Sequence, residues 1–220
     1  MNRRGLFITF EGPEGSGKST QLRSLARRLR GVGRKVLETA EPGGTDIGLQ
    51  IRRVLLDNKN QALCPTAELL LMFAARAQNV DEAILPALAQ GEIVLCDRFT
   101  DSTLVYQGEA RGLGADVVYD VDRIACRGLV PDLTILVDID VETGLGRAHR
   151  RNQRMQGNET RLDEQSIEFH RKVRAAYQKL SQEESQRVHV VDGSRLELDV
   201  ATDIWAIVQT ALSLETSRSA

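Results

Sequence analysis

Aromatic residues make up only 4% of the 220-residue chain, and it carries a single Trp, three cysteines and five prolines. Cys64, Cys96 and Cys126 lie far apart with no CxxC pair, which argues against a disulfide framework and a thiolate zinc site. They are expected to be buried as small apolar side chains in a reducing compartment. No uncharged run approaches the ~20 residues of a membrane-spanning helix. The apolar stretch between Arg4 and Glu11 is too short for the core of a secretory leader, so a soluble, cytoplasmic protein is expected. A surplus of one charge is missing too: 29 basic residues face 31 acidic ones, for a net −2. That balance argues against a dedicated nucleic-acid binder, whose domain is usually markedly basic. The length is enough to bury a core without covalent staples.

What the chain does have is alternation. Short apolar, β-branched runs at Leu6 to Phe10, Lys35 to Glu38, Glu92 to Cys96, Leu133 to Ile139 and Val188 to Val191 are separated by longer segments of helical period. The helical segments are Ser19 to Arg30, Ile47 to Leu56, Thr66 to Gln90, Val117 to Arg127, Val141 to His149, Glu164 to Leu180 and Leu198 to Leu214. This pattern predicts an α/β fold of three layers, α/β/α, with a five-stranded parallel sheet wrapped by helices. Pro86 predicts a kink or break near Leu85. There is no repeat and no low-complexity linker, so one domain spanning 1–220 is expected, and Arg150 to Thr160 reads as a mobile insertion in it.

Gly12-Pro13-Glu14-Gly15-Ser16-Gly17-Lys18-Ser19 follows the first strand candidate directly and opens the first helix, leading into Thr20. The spacing GxxxxGK[ST] in that context is a P-loop. Its backbone N–H groups and the helix N-terminus cradle an anion, Lys18 reaches the terminal phosphates of a nucleotide, and the Ser19 hydroxyl ligates Mg²⁺. Glu14 is out of place there, since a carboxylate repels the phosphates that its neighbours attract; an acceptor hydroxyl or a metal-bound water would give it a role. Asp97-Arg98 ends the third strand candidate, at the sheet edge where ligands of open α/β folds bind. Asp97 is placed to act on Mg²⁺ through water and Arg98 to hold a phosphate. The Asn/Thr-Lys-x-Asp base-reading motif of regulatory GTPases is missing. A second set of anion- and hydroxyl-binding residues is present instead: Arg52, Arg76 and the run from Asp97 to Arg111. Two phosphate sites imply transfer between two phosphorylated molecules.

The segments Phe10 to Thr20, Glu41-Pro-Gly-Gly-Thr45, Leu71 to Gln78, Asp97-Arg98 with Ser102-Thr103 and Tyr106-Gln-Gly108, and Pro131 to Thr134 resemble, in order and interval, those of bacterial thymidylate kinases. The resemblance covers about Leu6 to Leu212. It implies transfer of the ATP γ-phosphoryl group to thymidine monophosphate (dTMP), with Mg²⁺, in a homodimer. It also implies that Glu14 addresses the 3′-hydroxyl of the acceptor sugar, that Arg52, Arg76 and Arg98 bind the acceptor nucleotide, that Thr103 and Gln107 read thymine, and that Tyr106 leaves little room for a ribose 2′-hydroxyl. The chain departs from the family at Ala40, usually Arg; at Phe99, usually Tyr or His; and at the thymine-stacking ring, where Met72 and Phe73 compete and Phe73 is the expected partner.

Five arginines, Arg147, Arg150, Arg151, Arg154 and Arg161, lie between 147 and 161 with a single acid, Glu159. A solvated basic face is the ordinary reading of such a run. Here Gly15 follows Glu14, so the P-loop supplies no arginine, and a transferring phosphoryl group needs mobile positive charge. The stretch resembles the lid of the bacterial subtype, and Arg150, Arg151 or Arg154 is expected to close over the phosphates. The runner-up function is a kinase for another nucleoside or nucleoside monophosphate; a nucleotide-dependent switch would leave the second arginine set unexplained.

Overall fold

The computed structural model describes residues 4–155 and 159–217, without the side chains of 154, 155 and 214–217. Five strands, β1 (Phe7–Glu11), β2 (Val36–Ala40), β3 (Ile93–Asp97), β4 (Leu133–Asp138) and β5 (Val188–Asp192), form one parallel sheet in the order β2-β3-β1-β4-β5. Period-two alternation sorts each strand's side chains onto two faces. Ile8, Phe10, Leu95 and Ile135 pack against Leu22 and Leu25 of α1 (Lys18–Gly31) and Ile204 and Val208 of α9 (Glu197–Ser217). On the other face, Phe7, Val94 and Cys96 meet Leu69 and Phe73 of α3 (Pro65–Asn79) and Val118 of α6 (Ala115–Ala125). Further along that face, Leu136 and Val188 are covered by Val173 and Tyr177 of α8 (Ile167–Glu183). The three-layer α/β/α fold is therefore the one expected, with both faces of β1, β3 and β4 buried, and this is why those strands read as nearly continuous apolar runs.

The helices differ from the sequence reading at several points. Thr66 to Gln90 is not one kinked α-helix: α3 passes through a π-helical turn, Val80–Ile84, into the short α4 (Leu85–Ala89). Pro86 lacks the amide that an unbroken α-ladder needs, and the wider turn before it absorbs the mismatch without ending the rod. A stretch with no helical assignment from sequence forms α5 (Thr100–Thr103) and runs on into π-helical Leu104–Ala110. The helix expected to end at His149 continues to Met155 as α7 (Val141–Met155), so the expected insertion is helical from its start to Met155. Of the cysteines, Cys96 and Cys126 are buried as expected but Cys64 is exposed, and all three are free. Among the described residues no helix is long and apolar enough to cross a membrane.

Candidate active site

β1 is the middle strand, with β3 on one side and β4 on the other, so the loops leaving β1 and β3 open into the same crevice. The loop after β1 is shaped by glycine. Gly12 has φ +136°, and a Cβ there would lie 2.2 Å from the Val137 carbonyl oxygen; Gly15 has φ +68°, and its Cβ would lie 2.0 Å from that of Gly144. Any larger residue would push the loop off β4 and α7. Lys18 at the start of α1 is buried, with Nζ donating to the carbonyls of Gly12 (2.9 Å) and Pro13 (2.7 Å). Burial first, then Arg98, lowers its ammonium pKa to about 8 against the opposing pull of Glu14, Asp97 and Glu11.

Arg98 stands at the end of β3 with φ 72°, a left-handed conformation uncommon outside glycine. Hydrogen bonds hold it there. Its backbone N–H donates to the Phe10 carbonyl. Nη1 donates to the Gly12 carbonyl, Ser102 Oγ and Tyr177 Oη, each at 3.1 Å, and Nη2 to Glu14 Oε1 at 2.8 Å. Beneath it lies Glu11, wholly buried, accepting from the Phe99 amide (2.7 Å), Ser102 Oγ (2.5 Å) and Tyr177 Oη (2.9 Å). Burial and Asp101 push the Glu11 carboxyl up to about 7. Glu14 also accepts from Tyr106 Oη at 3.0 Å. Burial alone would raise its carboxyl pKa, but Arg98 and Lys18 outweigh burial and lower it to about 2. Ser19 Oγ donates to Asp97 Oδ2 in a short hydrogen bond at the same mouth.

Glu14, Lys18, Ser19, Asp97, Arg98 and Tyr106 border a cleft of about 1370 Å³, more than the ~300–1,000 Å³ typical of a site for one small ligand. One wall carries the P-loop residues from Glu14 to Thr20, and another carries Arg52, Arg76, Arg98, Thr103, Tyr106 and Gln107. Gly12 and Pro13 do not line the cleft; they turn carbonyls to Lys18. Arg76 is buried, with Nε on Glu41 at 2.5 Å and Nη2 on Thr103 at 2.9 Å. Phe73 corrects an expectation: it belongs to the core cluster under the sheet, and its ring supports the Arg76 guanidinium from 4.7 Å. Phe99 does the same from 5.0 Å. The neighbour that lines the cleft from this turn of α3 is Met72.

The five arginines of 147–161 do not act together. Arg151 lines the cleft and is tied to Asp163 at 2.8 Å; Arg147 lines it too, with Nη1 on the Gly193 carbonyl at 2.9 Å. Arg150 is exposed and does not line the cleft. The Arg154 side chain lies outside the described residues. Arg161 is buried, paired with Glu68 at 2.7 Å and donating from Nε to the Leu55 carbonyl at 2.5 Å. Glu68, Asp163 and Tyr177 had no sequence signal beyond polarity, and only their burial marks them. Glu11 and Glu41 stood inside recognised segments, Phe10 to Thr20 and Glu41 to Thr45, with no role assigned to either.

Compared with known proteins, residues 10–204 match the family model described as "Thymidylate kinase". The chain belongs to the thymidylate kinase family. Among proteins named thymidylate kinase, that of Pelobacter propionicus is 52% identical over 191 residues, covering 86% of this chain and 87% of its own. That of Trichlorobacter lovleyi is 49% identical over 210 residues, covering 95% and 99%. The crystal structure of thymidylate kinase from Ehrlichia chaffeensis superposes with a TM-score of 0.74 at 31% identity, covering 94% of this chain and 99% of that one. This thymidylate kinase family member thus shares its fold and nearly its whole length with the relatives it matches.

Proposed function

We propose that this protein transfers the γ-phosphoryl group of ATP to dTMP, giving thymidine diphosphate and ADP, in the supply of thymidine triphosphate. The observation that carries this reading is one large cleft with two anion-binding walls, the P-loop on one side and Arg52, Arg76 and Arg98 on the other. The P-loop amides and Lys18 hold the β- and γ-phosphates of ATP. Arg98, preset by its hydrogen bonds, aligns the acceptor phosphate, whose oxygen is already anionic and needs no general base. Glu14 takes the 3′-hydroxyl of the acceptor sugar, Tyr106 closes the space where a 2′-hydroxyl would sit, and Thr103 and Gln107 read the base. Arg151 is the lid arginine that brings charge to the transferring group. Catalysis here is positioning and charge neutralisation, and closure keeps water from intercepting the phosphoryl group.

Ser19 Oγ and Asp97, already hydrogen-bonded to each other in the cleft, form an all-oxygen pair that suits a hard cation such as Mg²⁺. Ser19 would hold the ion directly and Asp97 through water, with the nucleotide's own oxygens completing its shell. Bound there, Mg²⁺ neutralises charge on the β- and γ-phosphates. The chain is read as one kinase domain with residues 147–161 as its lid, working in the cytoplasm as a homodimer. Exposed apolar side chains on three helices support the dimer: Val54 on α2 (Asp46–Leu56), Leu70 on α3 and Ile124 on α6, the last 81% exposed.

An ADP-release assay across dTMP, dUMP, dCMP, dGMP, AMP and thymidine tests the activity. Preference for dTMP is expected, and preference for any other acceptor refutes it. Sedimentation tests the dimer, which a monomer at micromolar concentration would refute.

A further inference from the structure

Glu68 is a wholly buried carboxylate in the first turn of α3 to which the phosphoryl-transfer reading gives no role. Three side chains from distant segments converge on it. Gln107 Nε2 donates to Oε1 at 2.9 Å; Arg111 donates from Nε to Oε1 at 3.2 Å and from Nη2 to Oε2 at 3.3 Å; and Arg161 Nη2 lies 2.7 Å from Oε2. Burial pushes the Glu68 carboxyl up, but the Gln107 hydrogen bond and the two guanidiniums outweigh burial and hold it below the usual carboxylate range.

An ionised carboxylate only accepts hydrogen bonds, whereas an amide has a donating and an accepting end. Glu68 therefore decides which way round the Gln107 amide sits: Nε2 must face it, and Oε1, on the other branch of the planar amide, is the end left for a ligand. Gln107 is itself buried, yet it lines the cleft. Thymine and uracil present a donor, N3–H, between two carbonyls. Cytosine presents an acceptor at N3 beside a donating amino group. A fixed acceptor in the pocket pairs with the first pattern and leaves two lone pairs opposed in the second. Buried polar groups left unpaired are what make such discrimination steep.

We propose that Glu68 is a positioning residue for base selectivity: it locks Gln107 so that Oε1 accepts the N3–H of a thymine-type base, and cytosine is rejected for want of that hydrogen. The proposal rests on the cleft being a dTMP site. Arg111 and Arg161 keep the lock charged, and through Arg161 the same carboxylate also grips the chain where it returns from the lid.

Two substitutions test it. E68Q lets residue 68 donate as well as accept, so the Gln107 amide can turn over. E68D keeps the charge that the two arginines need but draws the carboxylate back by one methylene, about 1.5 Å. In each, the ratio of kcat/KM for dTMP to that for dCMP is expected to fall at least about tenfold, through KM for dTMP more than through kcat. In a Q107A background E68Q should narrow the ratio no further, because the two act as one unit. Should E68Q melt below the assay temperature, E68D decides. An unchanged ratio in a folded variant, or the same narrowing with Gln107 absent, overturns the proposal. Failure of the unsubstituted protein to phosphorylate dTMP would refute the functional reading itself, and it is seen before any variant is compared.

Discussion

Lys18 and Glu14 show how burial and neighbouring charge compete at single residues. Burial and Arg98 bring the Lys18 ammonium down to about 8, so it is charged at neutral pH and loses its proton as pH rises through that value. ATP affinity should weaken from about pH 8 upward, as titration calorimetry between pH 7 and 9.5 would record, and Lys18→Ala should cut turnover by about 10²-fold or more with the fold intact by circular dichroism. Glu14 and Glu11 act on stability with opposite signs. Glu14, lowered to about 2 from an ordinary 4.5, contributes stability that is present above 4.5 and lost as pH falls toward 2. Glu11, raised to about 7, favours the folded state below 4.5 and loses that contribution as pH rises through 7. Thermal melts of Glu11→Gln should therefore change less between pH 4.5 and 7 than those of the unsubstituted protein.

Helix α7 brings charge to the cleft from outside the sheet, and α8 brings a hydroxyl beneath it. Along α7 the adjacent Arg150 and Arg151 point to different surroundings, Arg150 to solvent and Arg151 to the cleft and Asp163. Arg151→Ala should lower kcat by about 10³-fold, the scale of an arginine finger, and Arg150→Ala by at least tenfold less; steady-state kinetics on the pair decides. From α8, Tyr177 reaches under the P-loop to Arg98 and Glu11, a contact between residues 79 apart for Arg98 and 166 apart for Glu11 that no local pattern announces. Run composition located every strand to within about two residues and most of the helices. The segment Thr100–Ala110 was missed because polar residues share its buried positions with Leu104, Val105 and Tyr106: Asp101, Ser102, Thr103 and Gln107 are also inside the protein, where a periodicity argument expects apolar residues. Their burial is made tolerable by partners on other elements, Arg187 for Asp101 and Glu68 for Gln107.

Across the whole molecule the cleft is tied to the sheet and the helical layer by buried ion pairs. Glu41, just beyond β2, and Arg76 on α3 are both almost fully buried at 2.5 Å from each other. Glu41→Ala would leave the guanidinium uncompensated and should cost about 3–5 kcal/mol, measured by urea unfolding. Asp132→Ala, which breaks the exposed Arg4–Asp132 pair, should cost about 1 kcal/mol or less from the ion pair itself. Sequence alone determined the layer architecture, because apolar period and loop chemistry are local. It also determined the phosphate cradle, because GxxxxGKS is contiguous and sits directly between a strand and a helix. The tertiary structure decided which of two neighbours reaches the cleft, Met72 or Phe73 and Arg151 or Arg150, since one residue of helix rotation separates a core from a site. It also decided that much of the near-neutral total charge is divided into compensated pairs, with Glu41 and Glu68 buried against Arg76 and Arg161. Coulombic pairing and desolvation act through space, between segments that chain order keeps apart.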